Sequence, residues 1–299
     1  MPLSQGDLFE PAITRALLDQ LLTDARLYHT GEDYKQLLDF VVRLRNVAPF
    51  NALLLQLQKP GLRFAASAFD WHKRFGRTIK EGARPLLILW PFGPVATVYD
   101  VQDTEGRELP EDVNCFVARG EVDNAVFNGF ARKLTSRSIE WEEFDGGDSK
   151  AGSIRVIRRA DPDNDKDRTT YRMRINRNHD LAVRFVTLVH ELGHLFLGHL
   201  GQEKALSVPK RHALTHEEQE LEAESVAYIV AERNGVQSKS ETYLAGFVTQ
   251  TTMIDDLDVY QIMRAAGQVE MLLGLISHTQ FEPPRLRRAR EAAHTNSPG

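Results

Sequence analysis

The stretch LAVRFVTLVHELGHLFLGH, from Leu181 to His199, carries an apolar run (Leu181, Val183, Phe185, Val186, Leu188, Val189) into His190-Glu191-Leu192-Gly193-His194. The apolar spacing predicts a helix. On a helix, residues four apart share a face, so the imidazoles of His190 and His194 can reach one metal ion with Glu191 flanking it. An H-E-x-x-H pair on a helix is the arrangement of a metallopeptidase, with the glutamate as general base.

Two histidines leave a catalytic zinc under-filled, because such a site takes three protein ligands and keeps a position for water. Working outward, the next carboxylate-rich segment is Glu218-Gln219-Glu220-Leu221-Glu222-Ala223-Glu224-Ser225-Val226-Ala227-Tyr228, which runs into an apolar helix. Glu220 and Glu224 share a face at four-residue spacing, whereas Glu222 is expected to point elsewhere. If this helix packs against the first, Glu220 completes a His, His, Glu set with Glu224 behind it. Glu224 as the third ligand stays open as the alternative. His199 falls one residue early for the third histidine of H-E-x-x-H-x-x-G-x-x-H. Gly193 and Gly198 are expected to allow close packing of the metal helix, and Gly201 to end the segment.

The string HELGHLFLGH, followed by Glu220-Leu221-Glu222-Ala223-Glu224-Ser225-Val226-Ala227, resembles the ImmA/IrrE family of zinc metallopeptidases over roughly the second half of the chain. The resemblance implies Zn2+ as cofactor and Glu220 as third ligand. This sequence has Glu224 where that family often carries Asn or Asp. The resemblance also implies a substrate class, transcriptional repressors cleaved to switch on mobile-element, defence or DNA-damage genes.

The chain's 299 residues suffice for one large or two modest domains. No run approaches the roughly twenty apolar residues of a membrane span, and the start lacks a signal peptide's pattern, so no membrane partner and a cytoplasmic location are expected. The single cysteine, Cys115, has no partner for a disulfide or a metal site and reads as a small buried hydrophobe. A net charge of −5 excludes a protein coated in positive charge, though not a local basic patch.

Such a patch lies in the first third. Helices are expected from Pro11 to Tyr28, from Asp33 to Arg45 ending before Pro49, and from an Asn51 cap to Lys59-Pro60-Gly61, then strands at Leu86–Trp90 and Val95–Val101. Seven basic residues from Lys59 to Arg84 face only Asp70 and Glu81, interleaved with Phe64, Phe69, Trp71 and Phe75. Cations beside aromatic faces are what single-stranded nucleic acid requires, and Lys73, Arg74, Arg77, Lys80 and Trp71 are the candidate contacts. The run from Pro49 to Gly61 and the W-x-x-x-x-G-R-x-I-K-E-G pattern from Trp71 to Gly82 resemble the N-terminal domain of ArdC-type antirestriction proteins. Tyr243–Phe247 and Ala265–Gln268 resemble that group's closing helices. The resemblance implies a single-stranded-DNA-binding domain joined to a zincin-like one.

Gly106 and Leu109-Pro110 mark a connection. Beyond it come an expected strand at Val113–Ala118, a helix over Asp123–Leu134, and strands at Ser138–Phe144, Ile154–Arg158 and Tyr171–Ile175, the last read as an edge strand for substrate addition. The polar loop Asp161–Arg168 lacks the glycine and glutamate of a calcium loop and reads as solvated. His212 and His216, in the link before the glutamate helix, read as surface histidines. Helices over Ser240–Thr249 and Asp258–Ile276 close the fold, and a basic tail follows.

The expected fold class is therefore α+β. A smaller ArdC-like α+β domain (1–110) precedes a zincin-like metallopeptidase domain (111–280) built of a small mixed sheet, the H-E-x-x-H helix and a glutamate helix; residues 281–299 form the tail. The expected function is a zinc-dependent endopeptidase whose partner is a helix-turn-helix repressor, stimulated by single-stranded DNA. Glu191 is its proton carrier, and Tyr228 or a histidine of the link is a candidate to hold the oxyanion. The rival reading is a single-stranded-DNA-binding antirestriction protein whose zinc is structural.

Overall fold

The computed structural model describes residues 31–89, 95–109, 122–147, 150–161, 163–164, 166–237 and 257–275. The expected helix over Pro11–Tyr28, the strand around Cys115, the helix over Ser240–Thr249 with Tyr243–Phe247, and the tail from 281 lie outside these residues. Among the described residues no helix is long and apolar enough to cross a membrane.

Three helices form the centre. Helix α5 (Leu181–Leu197) buries Phe185, Leu188, Val189, Leu192, Leu195 and Phe196, the i, i+3, i+4 set of its apolar run. It stops at Gly198, whose φ of 87° is left-handed, so the chain turns three residues before the expected stop at Gly201. Helix α6 (His216–Arg233) starts on a reciprocal cap between Thr215 and Glu218, each side chain bonding the other's backbone N–H. From Leu221 to Ala231 it is buried on nearly every side, because it packs against α5, against α7 (Val259–Leu273) and against the first described helix, α1 (Gly31–Arg43).

Arg233, at the end of α6, ties these parts together. Its fully buried guanidinium donates to Glu270 Oε1 of α7 at 2.7 Å, and to the carbonyls of Val41 at 2.8 Å and Val47 at 2.9 Å. Two of the elements it joins, α1 and α7, are far apart in sequence. Tyr34 of α1 adds a buried bond to Ser225 Oγ at 2.7 Å, and burial raises its phenol pKa well above the usual value. Helices α1 and α2 (Pro49–Gln58) share one continuous core with α5, α6 and α7.

Helix α2 corrects two expectations. Pro49 opens it rather than closing the helix before, since a proline's missing N–H costs nothing in a first turn. Its N-cap is Ala48, and Asn51 instead bonds the N–H and C=O of Leu89 at 2.9 Å each. The polar side chain thus satisfies a strand edge.

After α2 come a sheet of order β1-β4-β3 (Ala65–Ala66, Ala96–Asp100, Leu86–Ile88) and a ribbon of β2 (Arg77–Ile79) with β5 (Thr104–Gly106). A short helix, α3 (Ala68–Lys73), is capped by Ser67. After α4 (Asn124–Thr135), capped by Asp123, comes the sheet beside the site: β6 (Ile139–Phe144), β7 (Gly152–Arg158) and β8 (Thr170–Asn176).

That sheet has the order β6-β8-β7, with β8 parallel to β6 and antiparallel to β7. The strand Tyr171–Ile175 is therefore central and paired on both sides, not the expected edge. Its inward residues Tyr171, Met173 and Ile175 are fully buried. Lateral order is invisible to a reading of strand positions alone, and here the chain inserts β8 between two earlier strands. Among the described residues no strand pairs with the outer edge of β7, which lies beside α5.

Candidate metal centre

One turn of α5 separates His190 from His194 and stacks their rings edge-on, with centroids 4.8 Å apart. The two Nε2 atoms point at each other across 3.1 Å. Helix α6 brings Glu220 over them, one carboxylate oxygen 3.5 Å from each Nε2. Gly193 eases the close approach of the helices: a β-carbon there would sit 3.3 Å from Ala223 O. Ligand atoms of His190, His194 and Glu220 all lie within 4.8 Å of one another. Two imidazoles and a carboxylate converging on one point suit a divalent cation.

The electrostatics fit the same use. Burial would lower the His190 pKa, but the carboxylates of Glu220 and Glu224 hold it up to about 10. Burial and the neighbouring His190 push His194 down to about 3. Hydrogen bonding to His190 lowers the pKa of Glu220.

Glu224 is placed behind the ligands, its Oε2 2.9 Å from Nδ1 of His190. Glu191 turns toward the sheet, where its Oε2 accepts the N–H of Ile154 on β7 at 2.9 Å. Burial raises its carboxyl pKa, against His190 and the Ile154 N–H. Because Asn176 N–H bonds Ala151 O, alternate residues of β7 pair with β8, and the backbone groups of Gly152, Ile154 and Val156 face the outer edge.

Two residues have partners that the sequence does not show. Glu222, expected to point elsewhere, is fully buried, with Oε2 2.9 Å from His199 Nε2 and Oε1 2.8 Å from Arg211 Nη2. His199, one residue early for a metzincin's third histidine, stands with Nδ1 2.9 Å from Nδ1 of His194. The available signal was a carboxylate set among Leu221, Ala223 and Val226, since an unpaired charge is not left in such company. His216 is exposed, 3.6 Å from Glu220 Oε1, and His212 is exposed on the link. The Tyr228 hydroxyl is committed to Asp39 Oδ1 at 2.8 Å.

The nucleic-acid candidates separate. Trp71 is fully buried, packed on Phe64 and Phe75, and donates its indole N–H to Tyr99 O at 2.9 Å. It has no face to offer a base, which corrects the expectation; the aromatics of this segment form their own small core. Arg77 is spent bracing the ribbon through Thr104 Oγ1 at 2.7 Å and Thr104 O at 2.9 Å, and Arg74 pairs with Asp70 at 3.0 Å. Lys73 and Lys80 are exposed, and the exposed ring of the segment is Phe69, at 57%.

Residues 151–231 match the family model for the IrrE N-terminal-like domain (Peptidase_M78). A search of curated proteins finds no match. Among solved structures the chain is similar to the antirestriction protein ArdC of plasmid R388. The Mn(II)-bound structure has 15% identity and a TM-score of 0.38, covering 81% of this chain and 96% of that one. The metal-free structure has the same identity and coverage and a TM-score of 0.35. The segment from Ala151 to Ala231, which holds His190, Glu191, His194 and Glu220, is thus similar to the IrrE N-terminal-like domain.

Proposed function

We propose that the protein is a zinc-dependent endopeptidase acting on an extended segment of a partner protein. The observation that carries this reading is the convergence of His190, His194 and Glu220 within 4.8 Å beside Glu191 and the outer edge of β7. His190 and His194 bind through Nε2 and Glu220 through its carboxylate. The ion, when bound, supplies Lewis acidity toward water and a peptide carbonyl. Glu191 takes the proton of the attacking water on its carboxylate and returns it to the leaving amine. Ile154 N–H orients that carboxylate. The outward backbone groups of Gly152 and Val156 pair with the substrate as an added strand.

The resemblance of HELGHLFLGH and the glutamate segment to ImmA/IrrE enzymes supports a transcriptional repressor as substrate. Exposed Phe69, with Lys73 one turn along α3, supports stimulation by single-stranded DNA. The test is incubation of the zinc-loaded protein with a helix-turn-helix repressor, with and without a single-stranded oligonucleotide, beside Glu191→Gln. Cleavage by the wild type alone supports the reading, and enhancement by the oligonucleotide supports the DNA signal. Equal cleavage by Glu191→Gln overturns the mechanism. DNA binding without cleavage moves the reading to a DNA-coating protein with a structural ion.

A further inference from the structure

We propose that His199 is a positioning residue for the metal centre: backed by Glu222 and Arg211, it fixes His194 in the one tautomer that can bind the ion. This rests on the metal-dependent reading above. A histidine that binds through Nε2 must carry its proton on Nδ1. Nδ1 of His194 lies 2.9 Å from Nδ1 of His199, and two N–H groups cannot face each other at that distance. His199 must therefore accept on Nδ1 and carry its own proton on Nε2. That nitrogen lies 2.9 Å from Glu222 Oε2, which as a carboxylate only accepts.

The end of the chain of bonds sets its direction. Glu222 is fully buried, and its other oxygen takes an N–H of Arg211 at 2.8 Å. With one Glu222 oxygen taken by the guanidinium N–H, the other is left to accept from His199 Nε2. Arg211 is held in turn by Leu197 O, at 3.3 Å, the last residue of α5. Gly198 makes this approach possible, because a β-carbon there would lie 2.8 Å from Pro209 O and 3.0 Å from Arg211 Cγ. The His199 side chain is only 2% exposed and that of Glu222 1%, so the bond between them is shielded from water. His190 needs no such spacer, since Glu224 bonds its Nδ1 directly.

The test measures zinc affinity by competition with a chromophoric chelator, on protein whose folding is checked by circular dichroism in the metal-free state. His199→Leu removes the acceptor and should weaken zinc binding about 10- to 100-fold. His199→Gln supplies an amide oxygen toward His194 and an amide N–H toward Glu222, and should stay within about threefold of wild type. Glu222→Gln, with its oxygen toward Arg211, offers an N–H to His199, inverts both tautomers, and should lose as much as His199→Leu. Nitrogen-15 spectra of the zinc-loaded wild type should show Nδ1–H on His194 and Nε2–H on His199. Wild-type affinity in folded His199→Leu and Glu222→Gln, or the opposite tautomers, overturns the proposal. Should His199→Leu fail to fold, the comparison of Glu222→Gln with His199→Gln decides it. A wild type that binds no zinc at all removes the metal reading itself, which is a different failure.

Discussion

Nδ1 of His190 lies 2.9 Å from Oε2 of Glu224, while its Nε2 lies 3.5 Å from Oε2 of Glu220. The two glutamates, one helical turn apart, thus address opposite nitrogens of one imidazole. Glu220 shares the space where an ion would sit, and Glu224 holds the ring that faces it. Glu220→Gln should therefore abolish stoichiometric zinc binding, whereas Glu224→Gln should retain zinc with an affinity about 10- to 100-fold lower. Metal content after dialysis against graded chelator checks this. The reverse order, with Glu224→Gln the more damaging, would make Glu224 the ligand.

Loading the metal should release a countable proton. Zinc binds neutral imidazole. In the metal-free protein His190, held up to about 10, is charged at pH 6, while His194, pushed down to about 3, is already neutral. Binding therefore displaces about one proton, from His190, and apparent affinity should rise with pH about tenfold per unit below the His190 pKa. Calorimetric titration at pH 6 in buffers of different ionisation enthalpy reads the number directly. Release of none, or of two, would contradict the protonation pattern.

The metal pair and its helix were legible because a 3.6-residue period and an H-E-x-x-H spacing are local facts. The order β6-β8-β7, the burial of Trp71 and the bond between Glu222 and His199 were not, since each depends on which distant segment arrives alongside. Trp71 shows the limit well. Interleaved aromatics and cations describe both a stacking surface and a small core with a charged rim, and only the arrival of Phe64 and Tyr99 decides between them. Arg233 escaped notice for the same reason, because its carbonyl partners Val41 and Val47 lie far away in sequence.

Arg233 gives a stability prediction. Its guanidinium pairs with Glu270, also buried, so Arg233→Met strands a carboxylate and leaves the carbonyls at the end of α1 without donors. Breaking one side of a buried pair costs about 3–5 kcal/mol. Denaturant melts of the metal-free protein should show that loss, and Arg233→Met combined with Glu270→Leu should recover part of it. A loss under about 1 kcal/mol for the single variant would mean that the pair contributes little beyond its replacement.

The DNA reading turns on two rings close together in sequence but set in opposite surroundings. Phe69 is exposed and its removal leaves no cavity, whereas Trp71 fills the small core with Phe64 and Phe75. Phe69→Ala should thus leave stability within about 0.5 kcal/mol of wild type. If bases stack on it, single-strand affinity should fall by about 1–3 kcal/mol, read by fluorescence anisotropy of a labelled oligonucleotide. Trp71→Ala should instead cost about 3–5 kcal/mol of stability, whatever happens to binding. Neutralising Lys73 and Lys80 together should flatten the salt dependence of binding, because a phosphate that no longer meets a lysine keeps its counterion. Unchanged affinity in Phe69→Ala and an unchanged salt slope in the double lysine variant would take this segment out of the nucleic-acid interface and leave its rings a purely structural task.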